Sequence, residues 1–162
     1  MNSFFKRVFL TALLAGTLDI LSAYANGFIK TGEISRKMFH YIAGGALGLE
    51  NSMKGGTGVV LLGIFFHYFI AFSFTLFFFF IYPRIKILAA NKYVTGLVYG
   101  LFVWAVMNLV VVPLSKFHKF PSNLQNAIVN ALILMVMVGL PISISAYYYY
   151  KKAMFDRDNK AN

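Results

Sequence analysis

Apolar positions gather into four long runs, at about residues 8–29, 57–82, 94–114 and 127–150, with polar stretches between them. A helix needs about 20 mostly apolar residues to cross a bilayer, and each run is long enough. The pattern predicts an all-α membrane protein with four transmembrane helices, forming a single multi-pass domain over residues 1–162. The second run is long enough to tilt or protrude, and Pro83 just after it suits a helix end. Pro141 lies well inside the fourth run and predicts a kink there. Tyr82, Tyr93 and Tyr147 to Tyr150 fall at run ends, where aromatic belts form.

The segment between the first two runs has a different pattern. Ile34, Met38 and Ile42 recur at helical spacing with Phe39 beside them, while Arg36, Lys37 and His40 fall on another side. This predicts an amphipathic helix over about residues 34–49, lying in the interface or partly re-entrant, with Arg36, Lys37 and His40 as its basic face. Gly44, Gly48, Gly55 and Gly56 punctuate the return to the membrane. The first run has a competing reading as a cleaved signal peptide, because Lys6 and Arg7 precede a short apolar stretch and Ala23-Tyr24-Ala25 resembles a cleavage site. Asp19 and the apolar residues through Ile29 argue for an uncleaved span.

Composition narrows the class further. Of 162 residues, 59% are hydrophobic and 12% charged, about half the charge of an ordinary soluble domain. The absence of cysteine excludes disulfides, thiolate metal sites and a Cys nucleophile. The net charge of +10 comes from basic residues at the ends of the apolar runs, so the expected partners are the bilayer and anionic lipid headgroups, not nucleic acid. With the N-terminus inside, nine Lys and Arg lie inside and six outside, which favours cytoplasmic termini.

Polar residues within the runs are the candidate chemistry. An ionisable group in hydrocarbon costs about 2.5–3.5 kcal/mol on insertion scales. Asp19 is the only acidic residue in any run, His67 lies near the middle of the second, Asn108 in the third and Asn130 near the start of the fourth. The first three share a helical face with small residues: Ala12, Gly16 and Ala23 beside Asp19, Gly63 and Ala71 beside His67, and Gly96 and Gly100 on the stripe that leads through Trp104 to Asn108. Small residues let helices approach closely, so Gly16, Gly63, Gly96 and Gly100 are expected packing positions, within the chain or between two copies. An inward Asp19 facing His67 is a natural pair that can bind and release a proton. The same residues equally suit hydrogen bonds that fix helix register.

A bis-His haem needs two inward histidines, and His40 and His118 lie in loops. No metal set, GxSxG, HExxH, Walker A or GxGxxG occurs. No catalysis and no cofactor are expected.

Several stretches carry a resemblance: Gly16-Thr17-Leu18-Asp19-Ile20, Ile42-Ala43-Gly44-Gly45-Ala46-Leu47-Gly48, His67-Tyr68-Phe69-Ile70-Ala71-Phe72, Tyr82-Pro83-Arg84, Tyr99-Gly100, Val106 through Ser115, and Gly139-Leu140-Pro141-Ile142. Over roughly residues 12–150 the chain resembles a group of small bacterial four-helix inner-membrane proteins of unassigned function. It is more distantly similar to the YagU family, from which its first loop departs greatly. The resemblance implies an uncleaved first span, a multi-pass bacterial inner-membrane location and, through the YagU link to acid resistance, a setting that suits proton-linked work. The expectation is a proton-linked small transporter or channel, as a homodimer because four helices enclose little space. The alternative is a non-transporting structural or accessory protein of the envelope.

Overall fold

A computed structural model describes residues 3–32, 37–118 and 123–161, with side chains through residue 152. It is all-α, with no strand among the described residues. Four helical spans, Ser3–Thr31, Thr57–Arg84, Lys92–Leu114 and Leu124–Lys152, are long and apolar enough to cross a membrane. They cover the four runs and extend them by a few residues. Large apolar side chains such as Phe65, Phe69, Leu101 and Leu132 stand exposed on the outside, as lipid-facing positions do in a multi-pass membrane protein.

The first span is the helix α1 (Ser3–Thr31), 29 residues long, or about 44 Å at 1.5 Å per residue. That exceeds a hydrocarbon core of about 30 Å, so α1 tilts or protrudes. Two short helices follow, α2 (Met38–Leu47) and α3 (Leu49–Lys54). Gly48 between them has φ +86, a left-handed conformation that glycine adopts without a Cβ penalty. The second span holds α4 (Thr57–Ile81) and ends in a 3-10 turn, Tyr82–Arg84, that contains Pro83. The third span opens with α5 (Lys92–Val106), whose N-terminus is capped by the Asn91 side chain accepting from Tyr93 N at 2.9 Å and Val94 N at 3.2 Å. In the third span the short α6 (Val112–Leu114) follows later. The fourth opens with α7 (Leu124–Leu134), capped by Asn123 accepting from Asn126 N at 2.9 Å.

Neither the third nor the fourth span is a continuous α-helix. A π-helical turn at Met107–Val111 leads into α6, and another at Met135–Gly139 leads into α8 (Leu140–Ala161). Each π turn ends two residues before a proline, Pro113 or Pro141. Proline supplies no N–H to the carbonyl four residues back, and its ring crowds that carbonyl. The ladder shifts to i→i−5 bonds instead, Val112 N to Met107 O and Leu140 N to Met135 O. The kink expected at Pro141 is therefore a widened turn, and Pro113 makes a second one that the apolar pattern does not announce.

The helices α1, α4, α5 and α8 pack around a core that begins mid-bundle at Val103 and Val138 and continues to the end where both chain termini lie. Phe78 and Phe79 are fully buried there. Tyr99 packs on Phe78 with ring centroids 4.4 Å apart and donates to Phe74 O at 2.6 Å. Tyr82 stacks on Tyr150 at 5.4 Å and 13°, while Tyr150 donates to Phe79 O at 2.6 Å. Tyr93 and Tyr148 stay exposed as a belt would have them, whereas Tyr82 is only 5% exposed. The Pro83 turn folds it over the bundle end.

Three glycines set the spacing of the third and fourth spans. A Cβ on Gly96 would lie 2.9 Å from Leu140 Cα, one on Gly100 2.8 Å from Met135 N, and one on Gly139 2.8 Å from Gly100 Cα. The two backbones touch, so Gly96 and Gly100 meet the same chain, not a second copy. Gly16 lets α1 approach α4: a Cβ there would meet the Tyr68 ring at 3.1 Å and Ala71 Cβ at 3.3 Å. Gly63 serves a different neighbour, because a Cβ there would fall 2.8 Å from the Phe39 carbonyl carbon of α2.

Two side-chain hydrogen bonds tie the first span to the fourth: Lys30 Nζ donates to Asn126 Oδ1 at 2.7 Å at the exposed end, and Thr11 Oγ1 lies 2.6 Å from Ser145 Oγ within the bundle. Thr11→Val removes the latter and leaves Ser145 half-buried without that partner. The expected loss is about 0.6 kcal/mol, the average for interhelical hydrogen bonds in membranes, and at most about 1.7. Thermal unfolding in detergent reads it; a larger loss would mean that the methyl for hydroxyl exchange disturbs packing as well.

Candidate functional site

The four polar residues singled out within the apolar runs come from four different spans, and all four line one cavity. Asp19 on α1, His67 on α4, Asn108 in the first π turn and Asn130 on α7 face a space of about 340 Å³. Apolar side chains, including Ile70, Phe74 and Val103, form the rest of the wall, with Ile42 contributed by α2. Both widened turns border it, through Met107 and Asn108 from one and Val138 from the other. π turns of this kind are frequent at functional sites. Pro113 and Pro141 also withdraw the N–H donors that the Leu109 and Met137 carbonyls would use in an α-helix.

The polar groups have distinct hydrogen-bond assignments. His67 Nε2 lies 2.9 Å from Gly16 O. A carbonyl only accepts, so Nε2 carries the hydrogen, and Nδ1 of the neutral ring is an acceptor. Asn108 Nδ2 donates to Trp104 O at 2.9 Å, which leaves Oδ1 as a further acceptor. Among the described residues the Asp19 carboxylate has no hydrogen-bond or ion-pair partner, the only ion pair being Lys54–Glu50 on the surface. Asp19 and His67 thus share a wall without the direct bond their spacing suggests. The Gly16 carbonyl, one turn before Asp19 on α1 and unshielded by a side chain, takes the imidazole hydrogen. The resulting wall is rich in acceptors and holds a single acidic group. In a surrounding of low dielectric such a wall favours a proton or a small cation over an anion.

The cavity has a continuation toward α2. A second space of about 380 Å³ shares Ala23 and Asn130 with it and is further lined by Tyr24, Asn26, Lys37 and Tyr41. Asn130, an exposed residue, therefore stands at the junction of the two. In the opposite direction Phe74, Val103 and Val138 form the base, and the aromatic core begins behind them.

The basic face expected on the first loop is divided. Lys37 is exposed and lines the second space. His40 departs from the face: its Nε2 lies 3.0 Å from Gly55 O and its Nδ1 is buried without a partner among the described residues. Arg36 and Ile34 lie outside the described residues. The reason for His40's turn is the seating of α2 on α4 at Gly63, which brings this face against the α3–α4 connection.

Two features of the site have no strong mark in the sequence. Gly139, which accepts the third span, stands alone between Val138 and Leu140, with only the following Leu140-Pro141 to hint at an irregular backbone. Tyr68, whose hydroxyl lies 3.0 Å from Thr17 Oγ1, bridges the first two spans beside His67. No family model, no curated protein and no solved structure matches this chain.

Proposed function

We propose that this multi-pass membrane protein carries a proton, or a small solute coupled to one, through the cavity between its four spans. The observation that carries the reading is the convergence of Asp19, His67, Asn108 and Asn130, one from each span, on a single space in an otherwise apolar bundle. Asp19 is the proton-binding group in this reading, His67 the neighbour that holds or passes a proton through Nδ1, and Asn108 and Asn130 the neutral dipoles that line the route toward α2.

A specific observation also favours a second reading. His67 donates a hydrogen across two spans to the backbone carbonyl Gly16 O, as a register-fixing side chain does in a structural or accessory envelope protein, while Asn108 bonds back to Trp104 O within its own span. The location we propose is the bacterial inner membrane with both termini cytoplasmic, supported by the charge asymmetry and by the resemblance to small inner-membrane proteins. A homodimer belongs to the transport reading. With Gly96 and Gly100 occupied within the chain, its contact is a lipid-facing surface.

Proton flux into proteoliposomes under an imposed pH gradient separates the readings. Wild type should collapse the gradient faster than empty vesicles, and Asp19→Asn should not. Equal flux in the two proteins would remove the carboxylate from the mechanism, and no flux in either would shift the weight to the structural reading.

A further inference from the structure

At the end of the bundle that carries both termini, basic residues of the first and fourth spans face one another. Lys6 and Arg7 of α1 and Lys152 of α8 line a cavity of about 530 Å³, with Ser3, Leu10, Tyr148 and Tyr149 completing its wall. None of these lining side chains is acidic. Lys92 Nζ donates to Tyr148 Oη at 2.7 Å, so the phenol's own hydrogen is left for an acceptor. The wall thus offers three cations, two phenols and a serine hydroxyl.

The cavity adjoins a second space. Arg7 and Tyr148 also border a groove of about 440 Å³ between α1 and the fourth span, lined by Leu14, Val136, Leu140, Pro141 and Ile144. Leu14 and Val136 are exposed within the apolar stretches of the first and fourth spans. From Arg7 to Leu14 is seven residues along α1, or about 10 Å. A compact basic cavity opening into an apolar groove about 10 Å deeper has the layout of a phospholipid, whose phosphate is joined to its acyl chains over a similar distance. Basic pockets between transmembrane helices are known to hold anionic headgroups.

We propose that this end of the protein is a binding site for one anionic phospholipid, its phosphate held among Lys6, Arg7 and Lys152 and an acyl chain laid along the groove between α1 and the fourth span. The groove distinguishes the occupant from a free anion, and the three cations distinguish it from a zwitterionic lipid. The site lies behind the aromatic core from the polar cavity and does not rest on what that cavity does.

Native mass spectrometry of the full chain from detergent, after mixing with equal amounts of phosphatidylglycerol and phosphatidylcholine, tests it. The native chain should retain phosphatidylglycerol preferentially. Each of Lys6→Gln, Arg7→Gln and Lys152→Gln should weaken retention about 5-fold, and the triple variant on the order of 100-fold, from about 1 kcal/mol per basic residue near a lipid surface. The three side chains are exposed, so folding should persist, and an unchanged elution profile checks it. The triple Lys30→Gln, Lys54→Gln, Lys116→Gln at the opposite end should retain the lipid as the native chain does. Unchanged retention in the first triple, equal loss in the second, or equal retention of phosphatidylcholine would overturn the proposal. Displacement of the lipid by millimolar inorganic phosphate would also overturn it, leaving only a free-anion site.

Discussion

Gly139→Ala should lower the thermal stability of the bundle in detergent by about 3 kcal/mol, the upper part of the range for overpacked sites. The added Cβ would stand 2.6 Å from Gly100 N and 2.8 Å from Gly100 Cα. Both are backbone atoms, so no side-chain rotamer can relieve the clash. The third and fourth spans must separate, and in a membrane their attraction is van der Waals contact, with no hydrophobic drive to replace it. Gly100→Ala meets Met135 and Leu134 in the same way. Gly27→Ala is the control, since nothing lies within 4 Å of a Cβ there. In mid-helix, alanine is favoured over glycine by about 1 kcal/mol, so this variant should melt at or above the native temperature. Gly139→Ala melting with the native chain would mean that the two backbones are not in contact.

Asp19→Asn should have the second large effect, in opposite directions on two readouts. Proton flux should fall at least 100-fold, roughly the scale of a lost proton-transfer group, because an amide does not bind and release protons in this range. Thermal stability should instead hold or rise. The carboxylate has no hydrogen-bond or ion-pair partner among the described residues, and an amide is less costly to hold in an apolar bundle than a carboxylate. A register-fixing Asp19 predicts the reverse: lower stability and no change in flux. The two measurements on one variant therefore decide between the readings, and a destabilised variant with normal flux would sink the transport mechanism.

The spans and their polar residues were legible in the sequence for a physical reason. A polar group facing lipid carries a cost that one facing the bundle does not, so Asp19, His67 and Asn108 could be assigned an inward direction, and the structure brings them to one cavity with Asn130. What stayed hidden depends on the backbone. The partner of His67 is the Gly16 carbonyl, and a carbonyl leaves no mark in the residue pattern. Gly63 reads as a contact between spans but receives α2 at Phe39, because the pattern gives the small face and not the neighbour that fills it. Likewise His40 reads as basic and exposed, and it turns to Gly55 only once α2 is seated.

The aromatic end has a consequence for how the membrane behaves with this protein in it. Phe78, Phe79, Tyr82, Tyr99 and Tyr150 close the bundle behind the polar cavity, while the cavity's other end runs on past Asn130 toward α2. A conduit with one blind end does not leak. If the chain transports as proposed, a cavity closed at this end adds no standing conductance, and cells holding many copies keep their membrane potential. In the transport reading, passage takes place in discrete openings of the aromatic layer, each with its own activation barrier. The rate should level off as the driving gradient increases and climb steeply with temperature, where an open pore would show a linear rise and the shallow temperature dependence of diffusion in water.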